Sequence, residues 1–171
     1  MCRWIGNTDN QVYSLQILSQ AFEAIEKACS LDNTKETGGI LIGKYSNDFS
    51  TAIIHEATYP PDDSRKGDSW FARGIIGLKE VLLKYWQSKD RKYYIGEWHY
   101  HPTIHLQPSR TDLNQMYKIR DDNKYCCTEP VLLIVGKSLE EKACPIRAFV
   151  FPQSYTYMEF IGPSLIEMTV K

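Results

Sequence analysis

GEWHYHPTIHLQPSRTD, residues 96–112, holds three of the chain's four histidines. His99 and His101 are separated by one residue and followed at once by Pro102; six residues then lead to Ser109, and Asp112 lies three beyond it. The pattern is H-x-H-P-x6-S-x-x-D. Tyr93 to Trp98, just before it, are aromatic and aliphatic enough to predict a strand. On a strand, His99 and His101 face the same way, because side chains alternate with period two. Pro102 has no N–H for a sheet ladder, so the strand should stop there. Ser109, after Pro108, suits a helix N-cap, and Leu113, Met116 and Tyr117 recur with helical spacing. Asp112 then falls in the first turn, facing back toward the strand end.

Taken alone, Ser109-x-x-Asp112 reads as a capping-box-like helix start, and two histidines on one strand face read as surface residues. Their joint spacing favours a metal. Two imidazoles and a carboxylate make three protein ligands for zinc and leave a fourth tetrahedral position open, as in catalytic rather than structural sites.

These residues resemble the JAMM motif of the JAB/MPN+ zinc isopeptidases: an upstream Glu, then His-x-His-Pro, six residues and Ser-x-x-Asp. The resemblance extends from about residue 12 to residue 151, with Glu36-Thr37-Gly38-Gly39-Ile40-Leu41-Ile42-Gly43 where the family has its Glu and Gly-rich strand start. One departure is Tyr100, where the family usually has Ser or Thr; it lies on the strand face opposite the ligands and should touch packing or substrate fit. The resemblance implies an α/β (α+β) MPN/JAB1-like, cytidine-deaminase-like fold, a mixed central sheet flanked by helices.

It also implies roles. His99, His101 and Asp112 would hold one catalytic zinc, whose bound water has its pKa lowered to about 7. Glu36 would move the proton, and the Ser109 hydroxyl would donate to the oxyanion. Glu97 is a rival for the carboxylate role, since it shares the strand face of His99 and His101; orienting a ligand histidine would suit it equally. The implied reaction is hydrolysis after the C-terminal tail of a ubiquitin-like protein, in deconjugation or precursor processing. The short chain is most similar to stand-alone bacterial JAB deconjugases, including those of CBASS-type antiphage operons beside E1/E2-like enzymes, which suggests antiviral defence. Alternatives are a peptidase maturing a sulfur-carrier protein, or a non-catalytic MPN-type interaction module. The intact Glu36, His99, His101, Ser109 and Asp112 argue against the module. A nucleotide-deaminase site would need Pro-Cys-x-x-Cys ligands, which the sequence lacks.

The 171 residues are expected to form one domain, 1–171, and the net charge of −1 offers no footprint for nucleic acid. The longest apolar run, Val131 to Val135, is far short of the roughly 20 residues of a membrane span. No apolar signal-peptide core follows Met1, and the five cysteines are irregularly spaced without a Cys-x-x-Cys, so a cytoplasmic setting is expected.

Outward from the motif, Leu15, Leu18, Phe22, Ile25 and Cys29 predict a first helix. Strands are expected over Ile40–Tyr45 and Thr51–Tyr59, paired antiparallel, with a loop at Pro60–Ser69 that is either a substrate-contacting flap or a linker. Trp70–Arg73 reads as a short strand, and Ile75, Leu78, Leu82 and Tyr85 as one face of a helix. Val131–Val135 should be a strand buried on both faces. A turn over residues 137–142, a strand Ile146–Phe151 and a last strand over Tyr155–Phe160 complete the chain. His55 reads as structural or surface, and His105 as a loop residue.

Overall fold

A computed structural model of the chain describes residues 1–138 and 143–162. In chain order the elements are β1 (Cys2–Thr8), β2 (Ser14–Leu18), α1 (Ser19–Leu31), β3 (Thr37–Tyr45), β4 (Thr51–Ala57), β5 (Arg65–Lys66) and β6 (Phe71–Ala72). There follow α2 (Leu78–Trp86), β7 (Tyr93–His101), α3 (Arg110–Asp121), β8 (Val131–Gly136), β9 (Ile146–Val150) and β10 (Met158–Ile161). The main sheet runs β1-β10-β9-β8-β7-β3-β4-β2 and closes on itself. It is mixed: β2–β4 and β7–β8 pair parallel, the other neighbours antiparallel. β5 and β6 form a separate two-stranded hairpin.

Alternation along β8 explains the layering. Val131, Leu133 and Val135 join a cluster with Phe22, Ile25 and Cys29 of α1, while Leu132 and Ile134 join another with Met116 and Ile119 of α3. Leu78, Val81 and Leu82 of α2 pack against that second cluster. One helix therefore covers one face and two cover the other, as the expected architecture requires. Full burial of each such aliphatic side chain contributes about 1.5–3 kcal/mol.

Four expectations need correction. Leu15 and Leu18 are not in the first helix; they belong to β2, and α1 starts at Ser19. Leu15 and Ile17 are both fully buried, so a period of two competes there with the helical one, and pairing with β1 decides it. β1 itself was not expected from Cys2–Thr8, whose only strongly apolar residues, Trp4 and Ile5, are adjacent and not alternating. Ile75 precedes α2 and is 74% exposed. The turn over residues 137–142 lies mostly outside the described residues. β5 falls inside the expected loop Pro60–Ser69, where pairing with β6 makes two of its residues a strand; the remaining strands stand near their expected limits, β10 starting three residues later than Tyr155.

Two features of the sheet position the site. β3 and β7 are antiparallel, with Thr37 opposite Tyr100 and Gly38 opposite His99, so the start of β3 meets the end of β7. The register also slips by one residue between Leu41 and Ile42, which pair with Gly96 and Tyr94 and leave Ile95 as the extra residue. Gly96 beside it has φ +154°, and a Cβ there would lie 1.9 Å from the Val131 carbonyl oxygen. The slip brings Tyr94 onto the same face as Glu97 and His99.

Candidate active site

β7 ends at His101, one residue before Pro102, with both histidines on the predicted common face. A short loop then leads to α3, which Ser109 caps. Its Oγ accepts from the Asp112 N–H at 3.1 Å, and Asp112 Oδ2 accepts from the Ser109 N–H at 2.7 Å, a complete capping box. The cap fixes the Asp112 rotamer so that its other oxygen, Oδ1, lies 2.7 Å from His99 Nδ1; Oδ2 is 3.7 Å from His101 Nε2. The capping reading of Ser109-x-x-Asp112 is realised, and the same carboxylate keeps Oδ1 toward His99, a placement compatible with the metal reading.

One donor atom from each of His99, His101 and Asp112 lies within 4.8 Å of the others, and the three residues are only 4%, 7% and 7% exposed. Their protonation suits a cation. Burial pushes the Asp112 carboxyl up, but the hydrogen bonds and charge of His99 and the bonds from Ser109 outweigh it and hold it at about 2. Burial lowers the His101 pKa, with Asp112 opposing and His99 adding. A neutral imidazole beside an ionised carboxylate is what metal ligation needs. Among the described residues His99 Nε2 is buried without a hydrogen-bond partner, a polar atom left unsatisfied unless something binds it. The donor set fits a zinc ion.

Glu36 stands one residue before Thr37, beside the end of β7, and is half-buried. Burial raises its carboxyl above the usual carboxylate range; the negative Asp112 raises it further, and His99 opposes. Ser109 is exposed, and its hydroxyl lies against the Asp112 backbone and carboxylate. Tyr100 points to the other face, packs in the α1-side core and donates its hydroxyl to the Asn33 carbonyl at 3.2 Å. His105 is an exposed loop residue.

Glu97 lies on the ligand face as expected but is fully buried and committed elsewhere. Arg73 Nε donates to both its oxygens, at 2.8 and 3.1 Å, and the Tyr94 hydroxyl donates at 3.1 Å. The Phe71 ring meets the His99 ring edge-on at 5.9 Å. Neither Arg73 nor Phe71 was distinguishable in the sequence as part of this site. Both fall in the expected short strand Trp70–Arg73, just after the expected flap at Pro60–Ser69, and that nearness was the one hint.

A family model of prokaryotic homologues of the JAB domain matches residues 18–151. A protein of Enterobacter hormaechei subsp. hoffmannii named "CD-NTase/cGAS isopeptidase" is 42% identical over 130 residues, 76% of this chain and 71% of that protein. Proteins of the same name from Escherichia coli and Pseudomonas aeruginosa are 32% identical over 103 residues and 28% identical over 130 residues. They cover 60% and 73% of this chain, and 62% and 74% of their own lengths. Among solved structures, the solution structure of a Desulfitobacterium hafniense protein aligns with a TM-score of 0.51 at 18% identity, covering 82% of this chain and 87% of that one. That likeness concerns the fold alone.

Proposed function

Since the chain belongs to the prokaryotic JAB-domain family and is a JAMM-type hydrolase, we propose that it is a zinc-dependent isopeptidase releasing proteins from conjugates at a C-terminal tail. The observation that carries this reading is the buried triad of His99, His101 and Asp112, with the half-buried Glu36 beside it and the exposed Ser109 on its cap.

In this reading His99, His101 and Asp112 hold the zinc, which supplies Lewis acidity and a water acidic enough to attack at neutral pH. Glu36 takes the proton from the attacking water and passes it to the leaving amine as the C–N bond breaks, leaving a carboxylate and a free amine. Its raised pKa suits a group that must accept and then release a proton. Ser109 is exposed on the cap, and its O–H turns to donate to the carbonyl oxygen as negative charge develops there.

The relatives' shared name directs the choice of partner. We take a CD-NTase as the protein whose conjugates the chain cleaves, with a ubiquitin-like tail, made into conjugates by E1/E2-like enzymes, as the alternative carrier. One domain and a cytoplasmic setting, both inferred from composition, belong to the proposal.

The test is a cleavage assay on a CD-NTase and on a ubiquitin-like protein, each fused through its C-terminus to a folded reporter. Zinc-loaded chain, chelator-treated chain and Glu36→Ala are compared. Cleavage of the CD-NTase fusion at the tail, lost in both controls, is the expected result. Cleavage of the ubiquitin-like fusion alone keeps the reaction and changes the partner. No cleavage of either by the zinc-loaded chain overturns the isopeptidase reading.

A further inference from the structure

The β5–β6 hairpin lies across the seam between β3 and β7, and its contacts divide between the two strands. On the β3 side, the Gly67 carbonyl accepts from the Glu36 N–H at 2.9 Å, and Lys66 Nζ is 3.0 Å from Asp32 Oδ2. On the β7 side, Phe71 packs against the His99 ring and Arg73 reaches Glu97. Gly38 makes room for this approach: a Cβ there would lie 2.9 Å from Phe71 Cε1 and 3.1 Å from His99 Cδ2. The hairpin thus touches both the carboxylate strand and the first histidine.

Of these contacts the Arg73–Glu97 pair is the most enclosed, its side chains 10% and 0% exposed. A pair so deep adds little net stability over two apolar side chains. What it adds is direction, because each charge has one place to be neutralised, and Tyr94, carried onto this face by the register slip, donates a further hydrogen bond to Glu97 Oε1.

We propose that Arg73 and Glu97 are positioning residues: their ion pair pins the β5–β6 hairpin across the seam, and the hairpin orients Glu36 and the His99 ring. Glu97, on this account, carries no proton in the reaction. The activity part of the proposal rests on the isopeptidase reading; the pinning part does not.

The experiment combines amide hydrogen exchange on the full chain with kinetics on the CD-NTase–reporter fusion. The variants are Arg73→Met, Glu97→Gln, Arg73→Lys and the paired Arg73→Met/Glu97→Met. The paired variant leaves no buried charge without a partner, so it keeps the test open should Arg73→Met fold poorly. In the paired variant the Gly67 and Glu36 amides are expected to exchange at least about tenfold faster, while amides of β8 keep their protection. Its kcat/KM should fall about 10- to 100-fold. It should be no worse than Arg73→Met, because two residues acting through one contact are not additive. Arg73→Lys, which keeps the charge, should recover part of both losses.

Native protection of the hairpin in the paired variant overturns the pin. A loosened hairpin with unchanged kinetics overturns the orienting role. Turnover abolished in Glu97→Gln with hairpin protection intact overturns it too, because Glu97 would then act in the chemistry itself. An inactive native chain counts against the isopeptidase reading alone, since the exchange arm needs no substrate.

Discussion

Asp112 joins a helix cap to the candidate metal site through its two oxygens. Oδ2 closes the helix cap and Oδ1 faces His99, so whatever loosens the cap also loosens the proposed ligand. In the proposed reaction Ser109 carries two separable duties, the observed cap and the proposed oxyanion donor. Ser109→Ala should cost about 0.5–2 kcal/mol of stability through the lost cap, and about 10²–10³ in turnover through the lost oxyanion donor. Ser109→Gly, a tolerable cap, should cost only a few tenths of a kcal/mol yet lose the same turnover. Urea unfolding beside kinetics separates the two, and a Gly variant that retains turnover would remove Ser109 from the chemistry. The charges also fix a pH dependence for the chelated protein. The folded-state pKa of Asp112, about 2, lies below its ordinary 3.8, so its contribution is whole above that value and is lost as pH falls toward 2. His101 is lowered from 6.5, so protonating it also disfavours the fold, beginning as pH drops through the ordinary imidazole range. The urea midpoint should therefore hold above neutral pH and fall in two stages on acidification, with Asp112→Asn reducing the lower stage. A midpoint flat from pH 8 to 3 would count against this coupling.

Between elements, the pairing of β3 with β7 depends on the absence of side chains. A Cβ on Gly38 would come within 2.4 Å of the Trp98 carbonyl oxygen, a backbone atom that cannot give way, as well as crowding Phe71 and His99. Gly38→Ala should cost about 1–3 kcal/mol by overpacking. Because the crowded ring is a proposed ligand, zinc affinity should fall by about 10- to 100-fold as well. Competition with a chromophoric chelator reads this directly; native affinity in a destabilised Gly38→Ala would mean that the ring is not held from this side.

Across the whole molecule, the closed sheet brings together groups distant in sequence, the three candidate ligands from within β7 and α3 and Glu36 from the residue before β3. Metal binding to such a preformed site stabilises the folded state by mass action. With zinc at about a thousand times its Kd, the gain is about 4 kcal/mol, which for a chain of this size raises Tm by about 8–16 °C. Scanning calorimetry on chelated and zinc-loaded protein checks it, and His101→Ala should abolish most of the shift. An equal rise in His101→Ala would mean that the ion binds elsewhere.

The shared face of His99 and His101, the cap and the helix carrying Asp112 were legible in residues 96–112 because each follows from local rules. Strand alternation aligns His99 with His101, proline ends the strand, and serine starts the helix. The strand Val131–Gly136 was legible for the same kind of reason, its unbroken apolar run fitting only a strand covered on both faces. Family resemblance, more than local rules, singled out Glu36, which by itself is a polar residue before two glycines. The fate of Glu97 was legible in neither way. Period two put it correctly on the face of His99 and His101, but its partner lies 24 residues back, beside a hairpin whose first strand reads as a loop and whose second reads only as an isolated short strand. Tyr94 reaches it only through a one-residue slip that depends on how β3 lies against β7. Side-chain direction is a property of the chain; which charge meets which is decided by the packing of elements that have no information about each other until they are folded.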